Sequence, residues 1–237
     1  MTRRIPLALA LCLVSISVGA FAQGTAPDGA TRPGPESPLF FKIDWKPVPG
    51  LPVEHPLDQK AVSSNPNIEL KLYGPSGKDI QENGVPDSTS NPMHIWTGLC
   101  AQPCGAAFRD KNNYVDLTGM GKINWVTKVS GFHQVHPILK LADGTWLIGE
   151  HADGSVFDYH PSGFTLSETR WMKLDIEKLV THGRWLDKVD LSKVDEVGFT
   201  DLLPGSGHGD GGYTDLGYVE VYGKPVPRGA GGQKTQQ

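Results

Sequence analysis

The chain has 237 residues, a formal net charge of −4, 38% hydrophobic and 20% charged residues. A mildly acidic chain without a basic cluster argues against a nucleic-acid backbone or an anionic membrane surface as its partner. Once low-complexity ends are set aside, the length suits one domain.

Residues 1–22 read as a secretory signal peptide. Arg3 and Arg4 precede an apolar run from Leu7 to Val18, and Ala20 and Ala22 precede a cut before Gln23. That run is too short for a dependable membrane anchor. The expectation is a soluble, exported protein, periplasmic or extracellular, without membrane insertion. Residues 23–38 read as a disordered linker, 39–224 as the folded domain and 225–237 as a disordered tail. Cys12 leaves with the signal, and an oxidising compartment then favours a disulfide between Cys100 and Cys104.

Within the domain, short candidate strands run from Phe40 to Trp45 and from Ile68 to Tyr73, amid Pro, Gly, Asn and Ser. From Met93 the pattern becomes regular. Strands are expected at Met93 to Thr97, Ala106 to Arg109, Tyr114 to Leu117, Lys122 to Val129, His133 to Leu141, Thr145 to His151 and Ser155 to His160. Arg170 to Ile176, Glu196 to Leu202 and Thr214 to Gly223 continue the series, with one helical turn over Ile176 to His182. Such spacing predicts an all-β fold, a single β-sandwich of jelly-roll type with at most one short helix. The glycine-rich segment 204–212 lacks the Lys-Ser/Thr of a phosphate-binding loop and precedes a strand. It reads as a long hairpin loop or as a flap over a binding face.

Asp143-Gly144 and Asp153-Gly154 each read as a two-residue type I′ hairpin turn. The first turn then sets His136 opposite His151, and alternation places Gln134, His136, Lys140, His151, Asp158 and His160 on one polar face. Gly149 leaves a gap among them. Val135, Pro137, Leu139, Leu141, Trp146, Ile148, Phe157 and Tyr159 form the opposite, core face.

Two stretches resemble known families. The segment Asp190 to Phe199, followed by Asp215 and Tyr218-Val219-Glu220-Val221-Tyr222-Gly223, resembles the closing strand pair of galactose-binding-type jelly rolls. That resemblance implies a jelly-roll sandwich and a saccharide ligand. Gln134-Val135-His136 resembles the Gln-Ile/Val-His motif of jelly-roll alginate lyases. By that likeness Gln134 would neutralise a uronate carboxylate and His136 would act as base. Those lyases also carry an Arg-rich strand and a Tyr-Lys-containing strand, which Arg109 and the stretch from Tyr159 to Gly163 match only in part.

On this face the chemistry expected is acid–base work on a saccharide or related polyhydroxylated compound. His136 and His151 would move protons, Lys140 and Arg109 would meet negative charge, and Asp158 would orient an imidazole. Gln134, Arg109, His160 and Trp185 are the candidate substrate contacts, Trp185 as a stacking ring in a turn-like His182-Gly183-Arg184-Trp185. No cofactor is required; a metal on His136, His151 and Asp158, as in a cupin-like enzyme, is the alternative that would need one. A non-catalytic saccharide-binding module, an envelope interaction protein and a merely solvated sheet face are the other readings.

Overall fold

The computed structural model covers residues 36–229. The expected signal peptide, most of the linker and the end of the tail lie outside the described residues. Strands β1 (Leu39–Ile43), β2 (His55–Pro56), β3 (Ile68–Tyr73), β4 (Gln81–Asn83), β5 (His94–Trp96) and β6 (Cys104–Asp110) come first. They are followed by β7 (Asn113–Asp116), β8 (Lys122–Val129), β9 (Val135–Leu141), β10 (Trp146–Gly149) and β11 (His160–Thr165). The last are β12 (Trp171–Asp175), β13 (Val180–Leu186), β14 (Val194–Asp201), β15 (Thr214–Tyr222) and β16 (Lys224–Pro227). Two turns of 3-10 helix, Gln59–Val62 and Gly77–Asp79, are the only helical pieces among the described residues.

The strands form two antiparallel sheets packed as a sandwich of jelly-roll type. In the first sheet the order is β11-β8-β15-β5-β4-β2, with β1 also on β15; in the second it is β13-β12-β10-β9-β14-β6-β3, with β7 also on β14 and β16 on β7. Strand β8 shows how sequence sets the faces. Ile123, Trp125, Thr127 and Val129 are buried while Lys122, Asn124, Val126 and Lys128 alternate outward. Trp125, Phe108, Phe199, Leu139 and Leu147 fill the space between the sheets, each contributing roughly 1.5–3 kcal/mol by burial. Cys100 and Cys104 form the expected disulfide, their Cα atoms 6.4 Å apart.

Neither Asp-Gly pair makes the expected turn. At the first, only Gly144 takes a positive φ, of 90°. Its N–H donates to the Leu141 carbonyl and Leu141 N–H to the Thr145 carbonyl, both at 2.9 Å. The loop therefore holds three residues, a turn closed by a left-handed glycine. Lys140 consequently pairs with Trp146, Leu139 with Leu147 and Ile138 with Ile148. Against expectation, Trp146 and Ile148 leave the inner core and join Ile138 and Leu174 in a cluster on the outer face. Gly149 leaves no gap, since a Cβ there would sit 2.8 Å from the Pro137 ring.

At the second pair, neither Asp153 nor Gly154 has positive φ. Asp153 makes one bridge to Val135, after which the chain crosses to the first sheet. The cause is the Asp153 side chain. Its carboxylate accepts from Trp125 Nε1 at 2.7 Å, Thr127 Oγ at 3.0 Å and Ser162 Oγ at 3.0 Å, all on the first sheet. With its acceptors so committed, Asp153 anchors a crossover, and the expected strand from Ser155 to His160 is replaced by β11. Phe157 is 90% exposed rather than core.

Strands β2, β4, β13 and β16 were not expected. Ile176 to Leu179 form a turn rather than a helix, and His182 to Trp185 belong to β13. The tail is ordered as far as β16, which pairs with β7. Pro225 and Pro227 are tolerated there because the strand is a sheet edge.

Candidate functional site, a groove on the outer face of the first sheet

Strand alternation builds this site. Ile95 and Leu216 point into the core, so their neighbours His94, Trp96 and Asp215 take the outer face. Register places Asp215 between Trp96 of β5 and Lys128 of β8. Tyr159, just ahead of β11, covers Lys128, whose ammonium lies 5.5 Å from the ring centre.

His94 and Asp215 are each only 4% exposed. His94 Nδ1 lies 2.7 Å from the Pro92 carbonyl, which can only accept, so the proton is assigned to Nδ1. Nε2 then carries a lone pair and sits 3.4 Å from Asp215 Oδ1. The Tyr159 hydroxyl lies 2.8 Å from His94 Nδ1 and donates to Asp215 Oδ2 at 3.2 Å. Asp215 Oδ1 has no hydrogen-bond partner. Burial pushes the Asp215 carboxyl up to about 7, against the pull of Lys128 and Tyr159. Burial likewise lowers His94 to about 4, against its hydrogen bond to Pro92. At neutral pH His94 is therefore an uncharged acceptor and Asp215 is poised between its two forms, so their contact is not an ion pair.

This cluster floors a cavity of about 400 Å³ walled by Glu54, Asn83, Asn91, His208 and Tyr213. A second hollow of about 440 Å³, walled by Ser130, Ser155, Phe157 and Asp158, shares Lys128 and Tyr213 with it. The two make one groove. The glycine-rich segment closes one side. His208 stacks on Trp96 at 4.5 Å and meets Tyr213 edge-on. Gly205 N–H donates to Cys100 O at 2.7 Å and Gly207 N–H to Gly98 O at 2.8 Å, which ties the segment to the disulfide loop. Gly212, at φ 99°, lies so close to Ser130 that a side chain would not fit.

The residues singled out in the sequence are dispersed. Asp158 lines the groove. His136 and His151 do not oppose each other, because the register is shifted by one. His136 Nδ1 lies 3.2 Å from the Gly149 carbonyl, and burial holds its imidazole below the ordinary value against hydrogen bonds to the backbone of 149 and 151. The His151 ring instead stacks on Phe164 of the first sheet, 3.8 Å between centres, with Nε2 3.1 Å from Asp153 Oδ1. Asp153, not Asp158, orients it. His151 faces a pocket of about 390 Å³ with Glu150, Thr165 and Glu168.

Lys140 and Arg109 are committed to carboxylates of the second sheet. Lys140 Nζ reaches Glu196 at 3.0 Å and Asp195 at 3.5 Å, while Arg109 reaches Glu69 at 2.9 Å and Asp195 at 3.0 Å. Trp185 is 37% exposed, with the Arg170 guanidinium 5.0 Å over its ring. Gln134 and His160 are exposed and stand apart from the groove walls. The cupin-like triad of His136, His151 and Asp158 does not assemble. Among the described residues no three His, Cys, Asp or Glu side chains converge as a metal cage. The sequence reading gave His94 and Asp215 no site role and put Tyr159 on the core face, whereas Tyr159 joins them on the outer face; the available signal was a polar residue beside an inward Ile95 or Leu216 on each strand.

No family model and no curated protein matches the chain. A solved structure of the family 11 carbohydrate-binding module of a Clostridium thermocellum cellulosomal cellulase is similar over 75% of this chain and 98% of its own, at 16% identity and TM-score 0.45. The same module with a β-1,3-1,4-mixed-linked tetrasaccharide matches over 74% and 98%, at 15% identity and TM-score 0.42. An exo-β-agarase is similar over 81% of this chain but 25% of its own, at 9% identity and TM-score 0.37.

Proposed function

We propose that this is an exported saccharide-binding protein whose ligand lies along the groove on the outer face of the first sheet. The observation that carries this reading is the groove's lining. Asn83, Asn91, Lys128, Asp158 and Tyr213 supply donors and acceptors, and Phe157 offers a ring that is 90% exposed. Polyhydroxylated ligands need that pairing of directional hydrogen bonds with a flat apolar face. Leaving a phenylalanine in water forgoes roughly 1.5–3 kcal/mol of burial, which a bound sugar ring recovers.

Calorimetric titration with cellotetraose, laminaritetraose, xylotetraose and a mixed-linkage β-1,3-1,4-glucan tetrasaccharide tests this. At least one is expected to bind, and Phe157→Ala to weaken it about tenfold, or ~1.4 kcal/mol. Full-strength binding by Phe157→Ala, or no binding by the intact protein, would count against the groove.

A second reading keeps an acid–base role for His151. Its support is the fixed geometry of the ring, held by Asp153 and Phe164 at the edge of a pocket.

A further inference from the structure

Trp96 is a buried aromatic that the core does not use. It is 3% exposed, yet it joins neither of the two apolar clusters of the fold. Alternation turns it to the outer face of the first sheet, where register sets it between Gln81 of β4 and Asp215 of β15. Asp215 pairs in turn with Lys128, and both of these line the cavity. Trp96 therefore continues the row of residues that floors the groove.

Its cover is His208 of the glycine-rich segment. The imidazole lies parallel to the indole, 4.5 Å between centres and 11° between planes, and Tyr213 meets the indole edge-on at 6.3 Å. His208 is itself exposed and walls the cavity. Trp96 Nε1 has no hydrogen-bond partner, and the backbone at Gly98 lies so close to that edge of the indole that a side chain would not fit. The cover thus rests on ring contact and gives the indole no polar bond.

The segment can release this contact. His208 to Gly211 are all exposed, and the bonds from Gly209 N–H to Ser206 O at 3.0 Å and from Gly212 N–H to Gly209 O at 3.2 Å stay within the segment. Its base is pinned separately, by Ser206 N–H on Gly212 O at 3.1 Å and Gly212 N–H on Ser206 Oγ at 2.8 Å. Gly207, at φ 65° with open space around it, is a pivot between that base and His208. His208 can therefore leave Trp96 while Ser206 and Gly212 remain paired.

We infer that the Trp96 face is a second saccharide subsite, continuous with the groove, which His208 covers until a pyranose ring displaces it. This rests on the saccharide reading of the groove. A sugar ring offers the indole a flat face of C–H groups and offers its hydroxyls to the polar residues alongside, whereas the imidazole supplies ring contact alone. Because His208 must first be cleared, the apparent affinity is lowered in proportion to the fraction of molecules whose subsite is open.

The test is calorimetric titration of the full chain with the four tetrasaccharides named above, for the parent, His208→Ala and Trp96→Phe. His208→Ala removes the cover and is expected to bind about three- to tenfold more tightly than the parent. Trp96→Phe shrinks the platform and is expected to bind about threefold more weakly. In the intact protein the indole N–H resonance of Trp96, assigned by its loss in Trp96→Phe, should move as ligand saturates. His208 is exposed, so His208→Ala remains informative if Trp96→Phe does not fold. Binding by His208→Ala no tighter than the parent's, full-strength binding by Trp96→Phe, or an indole resonance that stays in place at saturation overturns the subsite and leaves saccharide binding in the groove intact. Failure of the intact protein to bind any of the four overturns the saccharide reading, and the subsite with it.

Discussion

Replacing Glu196 with alanine is expected to destabilise the protein by about 3 kcal/mol. Glu196 is fully buried in β14. One oxygen accepts from Lys71 Nζ at 2.8 Å and Lys140 Nζ at 3.0 Å, the other from Tyr73 Oη at 2.7 Å. Removing one member of a buried charged set typically costs about 3–5 kcal/mol. The lower end applies because Lys71 and Lys140 are 38% and 25% exposed and regain water. Urea unfolding measures it directly. A loss below about 1 kcal/mol would mean that the network is ornamental and would reopen the chemical role read for Lys140 in the sequence.

Asp153→Ala is the second large effect, about 3–4 kcal/mol. Trp125, Thr127, Ser162 and His151 all donate to this one carboxylate, and each abandoned donor costs on the order of 1 kcal/mol. The crossover from β10 to β11 would lose its anchor with them. Burial opposes ionisation here, but the hydrogen bonds from His151, Trp125 and Ser162 outweigh it and hold Asp153 below the ordinary carboxylate value.

A carboxyl depressed in the folded state stabilises above its unfolded value and loses that contribution as pH falls through the folded one. Asp215 and Glu82 have the opposite sign. Burial raises both to about 7, so their contribution is full below about pH 4 and is lost as pH rises toward 7. Thermal unfolding of Asp153→Asn between pH 5 and 2 should therefore be flatter than that of the parent. An unchanged slope would show that Asp153 is not a main acid-sensitive group.

Much of the fold was legible because the inner strands alternate cleanly. Ile68–Tyr73 and Lys122–Val129 match expectation to the residue, and the ends of β14 and β15 differ by no more than two. The strands that escaped are those without a buried stripe. Along β13 every residue but Leu186 is exposed, and β16 carries two prolines, so neither shows a period-2 signal.

The site was less legible, for two physical reasons. Turn chemistry alone did not set the register. Gly144 alone took the left-handed conformation, and Asp153 spent its side chain on the other sheet, so a one-residue slip separated His136 from His151. The groove cluster is also nonlocal. Tyr159 meets His94 across 65 positions and Asp215 across 56, and no local turn rule relates strands so far apart. Asp158 lines one hollow of the groove, away from His136 and His151, with which the expected register had grouped it.

A saccharide is expected to occupy the outer face of the first sheet. Amide chemical-shift mapping with the tetrasaccharide that binds most tightly tests it most directly. The predicted result is a continuous patch of shifted signals at Asn83, His94, Lys128, Phe157, Asp158, Tyr213 and Asp215. Shifts confined to Arg170 and Trp185, to the His151 pocket, or to the outer face of the second sheet around Glu196 would contradict it.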